Sequence, residues 1–401
     1  MSRADAPLAG VRIADFTIHA AGPFCTHVLS QLGAECIKIE SAARPDAFRK
    51  PHAVYGRMTA ATFDQVSANK RSVRINLKKA EGVALARRLV AISDATAESF
   101  RAGVMQRLGL GFEQLLEVKP DLVMLSLSSS GQQGPDSHFA GYAPLFGAWG
   151  GLGWMCGYSD GPPMEMRHVM DHSAGYHAAV ALMAGLHQRR ATGLPQYIDI
   201  AARDVASAMI GDALILASLG ATPERPGNHQ PGLAPHGTYS TNRPDRWLTI
   251  AVRDDAQWNA LMRILGREAA DVDPRFSSQA LRGQHREALD AQLADWLAYS
   301  DADAMADALQ ANGVAAHVSW NMQDVADDPH LHARGTLVPV ADPVTPARLA
   351  VGSPAKFSHT TDVGIRRGTP GLGEGEDYVY GELLGMDTAT RDDLQQREVI
   401  F

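Results

Sequence analysis

Only three cysteines, Cys25, Cys36 and Cys156, occur in the 401 residues, and none has C-x-x-C spacing. This argues against a disulfide framework and a thiolate metal site, and reduced thiols in a cytosolic protein are the expectation. Long apolar runs are also missing. The most extended charge-free helical stretch is AAVALMAGL, far short of the ~20 residues that span a bilayer. The opening MSRADAPLAGVRIADF holds no apolar core followed by a small-residue cleavage site. Basic residues are scattered and the formal charge is −8, which argues against the basic stripe of a nucleic-acid binder. These absences predict a cytoplasmic protein with neither membrane nor nucleic acid as partner.

Several catalytic signatures are absent too. GAWGGLGWMCG does not match G-x-G-x-x-G and follows no clear strand, so a nicotinamide dehydrogenase is disfavoured and the stretch reads as a loop or a flexible substrate-facing segment. His330 and His332 form the tightest histidine pair, but no further ligands complete a site. Neighbouring Asp327 and Asp328 read as a turn or helix start, and no metal is expected. A G-x-S-x-G nucleophile elbow does not occur.

What is present is a core-forming chain, 45% hydrophobic and 20% charged. GVRIADFT, AAGPFCTHVLSQLGA and ECIKIE read as a β-α-β unit with a parallel sheet implied. The pattern recurs. AEGVALARRLVAIS is helical, DATAESF strand-like, VMQRLGLGFEQLLEVKP helical and DLVMLSLSS a strand closed by SGQQGP. A long helix is predicted from about His172 to Arg190, then the strand QYIDIAA and one helix over DVASAMIGDALILASL. The Pro/Gly-rich GATPERPGNHQPGLAPHG reads as a linker. Beyond it come a hairpin turning at Asn242 to Asp245 and a run of helices. The domains expected are 1–220, a smaller α+β domain at 230–320, and 321–401 returning to the first. No repeat of solenoid length is seen.

Candidate chemistry gathers at a few places. The start of the first helix, HAAGPFC, offers backbone N–H groups to an anion or simply makes a βα turn. Arg44, Arg49, Arg71, Lys78, Arg101 and Arg107 lie near predicted strand ends, where phosphates gather in open α/β sheets, or are solvated surface charges. Asp171, at the head of the long helix, is either a cap or an ionised nucleophile. Ala174, Gly175, Ala178 and Ala179 would permit close packing around it.

PLAGVRIADFTIHAAGPFCTHVLSQLGAECIKIE, NKRSVRINLKKAEG, ESFRAGVMQRLGLG, SGQQGP and GPPMEMRHVMDHSAGYHAA, in this order, resemble the class III CoA-transferases, the formyl-CoA/carnitine (CaiB/BaiF) family. The resemblance covers essentially the whole chain. It implies an α/β fold: a large Rossmann-like parallel-sheet domain built from both chain ends plus a smaller α+β domain, in an interlocked-ring homodimer. It implies Asp171 as the catalytic residue, with acyl-CoA and a carboxylic acid as substrates and no tightly bound cofactor. CoA contacts would fall on Ile18, His19, Ala20, Ile75, Lys78, Ser99, Phe100, Val104, Arg107 and Leu108, with Arg44 the nearest candidate for the adenosine phosphate. Ser99 stands where the family often has Asn.

The mechanism implied is attack of Asp171 on the thioester, a mixed anhydride, then an aspartyl-CoA thioester. A glycine-rich segment closes the site in some relatives, and residues 147–157 would be its counterpart in this chain. Tyr142 stands where the superfamily's racemases carry histidine, and Ala143 where they carry an acid, so a racemase is disfavoured; Ala143 also departs from formyl-CoA transferase. GYAPLFGAWGGLGWMCGYSDGPP is more similar to the branch that joins succinyl-CoA to larger acids such as benzylsuccinate. Tyr142, Trp149, Trp154, Met155 and His172 are the substrate-pocket candidates, the alternative being that the tryptophans and Met155 are core. Two other functions remain: an intramolecular CoA-transferase, and a non-catalytic CoA-binding subunit.

Overall fold

The computed structural model describes residues 6–50, 61–166, 169–268, 271–340 and 347–401. These form two compact units, one of 1–154, 165–222 and 329–401 and one of 155–164 and 223–328.

In chain order the first unit begins β1 (Arg12–Phe16), α1 (Ala21–Gln31), β2 (Glu35–Glu40), α2 (Ala61–Ser67), β3 (Arg71–Arg74), α3 (Ala80–Ala91) and β4 (Ala95–Glu98). Then come α4 (Val104–Arg107), α5 (Phe112–Leu116), β5 (Val123–Ser128), α6 (Ala143–Gly150), α7 (Leu152–Met155), α8 (Val169–Thr192), β6 (Gln196–Ala201), α9 (Ala202–Ala208) and α10 (Gly211–Ser218). All six strands pair in parallel, in the order β3-β2-β1-β4-β5-β6. The chain runs outward from β1 to one edge and then from β4 to the other. The gap beyond β1 and β4 is thus the topological switch point, where such sheets bind ligands.

Strands β2, β4 and β5 are buried along their whole length, as expected of a parallel sheet covered on both faces. One face carries a core of Ile37, Val73, Leu85, Leu89, Leu122 and Met124. Val379, Tyr380, Met386 and Ile400 from the C-terminal segment join it. The Tyr380 hydroxyl donates to Arg74 O at 2.6 Å, and Glu376 pairs with the Arg74 guanidinium at 2.7 Å. On α8 the buried residues include Ala174, Gly175, Ala178 and Ala179. Their small side chains let α1 and α8 approach closely.

In the second unit β7 (His236–Ser240), β8 (Trp247–Ala251), α11 (Asp255–Ile264), α12 (Gln279–Gln284), α13 (Arg286–Leu297), α14 (Ala302–Ala311), β9 (Ala315–Val318) and α15 (Met322–Asp327) follow one another. The antiparallel sheet β7-β8-β9 packs on helices through Leu248, Ile250, Trp258, Leu261, Leu289 and Leu309. Arg282 is fully buried there and is satisfied by Ala234 O, Phe276 O, Asp255 and Gln279. The first unit resumes with α16 (Pro329–Ala333), the hairpin β10 (Leu337–Val340) and β11 (Arg348–Val351), and α17 (Thr388–Gln396).

Three expectations are corrected. The helix expected over VMQRLGLGFEQLLEVKP breaks into α4 and α5, because Gly109 adopts φ +76°. The single helix over DVASAMIGDALILASL breaks at Ile210, with φ −123°. GAWGGLGWMCG is largely helical, in α6 and α7, rather than a loop. Its glycines are demanded by packing: a Cβ on Gly150 would lie 2.3 Å from Ala206 Cβ and 2.5 Å from Arg203 O. Strands β3 and β9 had no expected counterpart, both being only four residues long. No described helix is long and apolar enough to cross a membrane.

Candidate active site

The turn after β1 rests on a buried ionic base. Asp15, at 0% exposure, accepts from Thr17 N at 2.9 Å, Thr26 Oγ1 at 2.7 Å and Lys70 Nζ at 3.0 Å. Lys70 also donates to Pro23 O in α1. Lys38, in the middle of β2, donates to Thr17 O at 2.7 Å and pairs with Asp46 at 2.9 Å, both side chains fully buried. Burial opposes the charge on Asp15, but Lys70 and Lys38 outweigh it and hold the carboxyl below its ordinary range. The end of β1 and the first turn of α1 are thereby tied to β2 and to the start of β3.

On this base His19 adopts a left-handed conformation, φ +66°. Such a backbone is uncommon for a residue with a side chain and clusters at functional sites. Its ring meets Phe48 at 6.4 Å and Tyr142 at 5.8 Å, both edge to face. Burial lowers the His19 pKa, Lys38 and Arg44 add to the effect, and Asp46 opposes it. Across the switch point, Ile18 N–H donates to Ser99 Oγ at 2.9 Å, and the same hydroxyl donates back to Ile18 O at 3.1 Å. Gly22 permits this approach: a Cβ there would lie 2.7 Å from Thr17 Cβ and 2.8 Å from Ser99 Cβ.

Asp171 lies inside the first turn of α8, which begins at Val169 rather than at His172. A carboxylate there interacts favourably with the positive end of the helix. Gly175, one turn on and on the same face, is pressed against α1. A Cβ there would stand 2.8 Å from Ala21 O and Phe24 Cδ1, and 3.3 Å from Cys25 N. The half-buried Asp171 is one turn before Gly175 on the same side of α8, and it is Gly175 that meets the first turn of α1. His172 and Tyr176 pack edge-on against Phe24, at 4.3 and 5.0 Å. Gln65 donates to His172 Nε2 at 3.0 Å.

The other candidates separate into groups. The side chains of Ile75, Phe100 and Leu108 belong to or pack on the sheet core, which leaves their backbones as the parts able to face a ligand. Val104 and Arg107 are on α4, directly after the Ser99 turn. Arg44, Lys78, Arg101 and Arg107 are exposed, and no ion pair among the described residues takes them up. They supply positive charge around the ends of β2, β3 and β4. Tyr142 is 65% exposed and Trp154 56% exposed. Trp149 is half-buried, stacked obliquely on Phe139 at 6.0 Å and lying against Gly141. Met155 closes α7. Among the described residues no cluster of three or more His, Cys, Asp or Glu could hold a metal ion.

Sequence reasoning passed over several residues. Lys38, Lys70, Asp15 and Asp46 form the base of the site, and the signal was a lysine inside the buried strand ECIKIE. Glu98 ends β4 at 2% exposure; the signal was an acid directly before the Ser99 turn.

A family model described as CoA-transferase family III matches residues 8–376. The chain is 32% identical over 97% of its length, and 96% of the relative's, to the succinyl-CoA–D-citramalate CoA-transferase of Chloroflexus aurantiacus. It is 31% identical to the succinate–glutarate CoA-transferase of Agrobacterium fabrum, over 96% of this chain and 98% of that one. A crystal structure of a CAIB/BAIF family protein from Brucella suis superimposes with a TM-score of 0.86 at 30% identity, covering 94% of this chain and 100% of the other.

Proposed function

The chain belongs to CoA-transferase family III and is an acyl-CoA:carboxylate CoA-transferase, and from that premise we propose that Asp171 is the nucleophile through which CoA moves. Its carboxylate attacks the donor thioester, breaks the C–S bond and releases CoA thiolate, leaving a mixed anhydride. The thiolate attacks the aspartyl carbonyl and expels the donor acid as its carboxylate, leaving an aspartyl-CoA thioester. The incoming carboxylate attacks the same carbonyl and frees the thiolate again, forming a second anhydride. The thiolate then takes the new acyl group and releases Asp171. Each step trades a carboxylate for a thiolate at one acyl carbon, so the cycle balances without proton, electron or metal. Splitting the exchange into covalent steps is the benefit of nucleophilic catalysis.

The observation that supports this reading is that Asp171 lies in the first turn of α8, one turn before Gly175, which is pressed against the first turn of α1. We assign CoA to Ile18, His19, Ala20 and the 99–108 segment, with Arg44, Lys78 and Arg107 facing its phosphates. Backbone N–H groups at the starts of α1 and α8 would stabilise the oxyanions. The donor we propose is succinyl-CoA, named for the Chloroflexus relative. The acceptor is a carboxylic acid lying toward Tyr142, Trp149, Trp154, Met155 and His172. We also propose a homodimer, supported by the exposed apolar side chains Leu214, Ile215, Leu216 and Leu219 on and beside α10. The test is to mix enzyme with succinyl-CoA, trap with hydroxylamine or borohydride, and map the modified residue by mass spectrometry. Modification of Asp171 is expected; full activity of Asp171→Ala without any adduct would overturn the assignment.

A further inference from the structure

Phe16, Glu98, Ser126 and Asp199 stand in one register line across β1, β4, β5 and β6. Side chains at one register point to one face of a sheet. Glu98, the last residue of β4, thus lies on one face with Ser126 and Asp199, each two residues before the end of its strand. Glu98 Oε2 accepts from Phe100 N at 2.6 Å, and Ser126 donates a further hydrogen bond to the carboxyl. Gln132, in the loop after β5, reaches Glu98 Oε1 with its amide at 3.5 Å. Its Oε1 accepts from Gly103 N at 3.4 Å, and its own N–H donates to Asp199 Oδ2 at 2.8 Å. Gly103 caps α4 at φ +76°, and a Cβ there would lie 3.0 Å from Arg107 Nη1.

The 99–103 loop is therefore gripped at both ends. Glu98 holds the Phe100 amide, and Gln132 spans from Glu98 to Gly103. Between them lies Ser99, which bridges to Ile18; directly after them come Val104 and Arg107. No cation pairs with Glu98 among the described residues. The titratable groups facing it are Asp199 and Tyr197 of β6. The nearby cations Arg101 and Arg107 are exposed.

We propose that Glu98 is a positioning residue for CoA: its buried carboxyl, with Gln132, sets the curvature of the 99–103 loop so that the Ile18–Ser99 bridge and Arg107 meet one CoA molecule together. This rests on the CoA-transferase reading and extends it to a residue that does not touch the substrate. Burial pushes the Glu98 pKa up to about 7, Ser126 and the Phe100 amide oppose the rise, and Asp199 adds to it. The carboxyl thus gains a charge near neutrality, beneath a polyanionic ligand.

Calorimetric titration of the full chain with CoA at pH 6 and pH 8 tests this. Wild-type affinity is expected to weaken severalfold at pH 8. Glu98→Gln keeps an acceptor for the Phe100 amide and stays neutral, so it should bind as wild type does at pH 6 and show none of that weakening. Glu98→Leu leaves the amide unpaired and should weaken binding about tenfold at both pH values. The proposal is overturned if Glu98→Gln keeps the wild-type pH dependence, or if a folded Glu98→Leu binds CoA as tightly as wild type. Should Glu98→Leu fail to fold, the Glu98→Gln profile decides alone. A wild-type chain that does not bind CoA would overturn the CoA-transferase reading and this proposal together. Binding that ignores both substitutions overturns only the proposal.

Discussion

Ile18 and Ser99 exchange two hydrogen bonds, at 2.9 and 3.1 Å, across the gap where the strand order of the sheet divides. One hydroxyl satisfies both the N–H and the C=O of a residue that is in no helix or strand. The two turns that border the switch point are thus a single object, and a ligand lying on one lies on both. Ser99→Ala leaves the Ile18 N–H unpaired. A loss of about 1–3 kcal/mol in stability is expected, together with a raised KM for the acyl-CoA donor. Urea denaturation and initial rates against donor concentration read the two effects; an unchanged KM would separate the bridge from CoA binding.

Asp171→Asn should lower kcat by at least about 10³-fold, since removing a covalent nucleophile abolishes the steps that run through it. The fold should persist, because the amide is the same size as the carboxyl. Far-UV circular dichroism and the melting temperature check the fold, and succinyl-CoA turnover checks the chemistry.

Gly175→Ala tests the approach of α8 to α1. Its new methyl would meet Ala21 O and Phe24 Cδ1 at 2.8 Å, and overpacking of this kind costs roughly 1–3 kcal/mol. The two helices must part to accept it, which shifts the first turn of α8, and Asp171 with it, relative to α1. A drop in kcat larger than the rise in KM is the expected split.

Glu98 also makes stability depend on pH. Its folded-state pKa, about 7, lies above the ordinary 4.5. The protonated carboxyl therefore favours the fold, fully below pH 4.5, and that contribution is lost as pH rises to about 7. Glu98→Gln does not ionise. It should match wild type near pH 4.5 and exceed it at pH 8, by up to about 3 kcal/mol. Denaturant melts of both chains at the two pH values give the difference directly, and equal differences would contradict it.

Replacing Ile215 and Leu219, exposed at 63% and 78%, by aspartate should weaken self-association without altering the sheet. Light scattering after size-exclusion chromatography reads the mass. A variant that elutes and scatters as wild type would place the interface elsewhere.

The sheet was legible because its strands are short runs rich in Val, Ile, Leu and Met, as in VMLSLS and ECIKIE, alternating in the sequence with helical patterns. The glycines misled. In GAWGGLGWMCG they read as freedom, whereas Gly150 packs so closely that an added Cβ would lie 2.3 Å from Ala206 Cβ; close approach between helices and looseness look alike in one dimension. Asp171 could be named but not understood from its segment, since α1, the helix that α8 packs against through His172, Gly175 and Tyr176, is some 150 positions away. Glu98 and Lys38 were invisible for a related reason. Their burial is explained only by partners from other segments, Asp46 and Thr17 for Lys38, and Ser126 and Gln132 for Glu98.

The ionic base of Asp15, Lys70, Lys38 and Asp46 has a bearing on how such an enzyme can change. It immobilises the turn that would grip the moiety common to every thioester, while Tyr142 and Trp154, 65% and 56% exposed, lie in a segment, 139–155, that holds no charged residue. On the proposed function, recognition would divide between a welded half and an adjustable half. Variation confined to residues 139–155 should therefore exchange one acid for another with the donor KM intact, whereas Lys38→Met, by leaving Asp46 buried without its counter-ion, should forfeit every substrate at once.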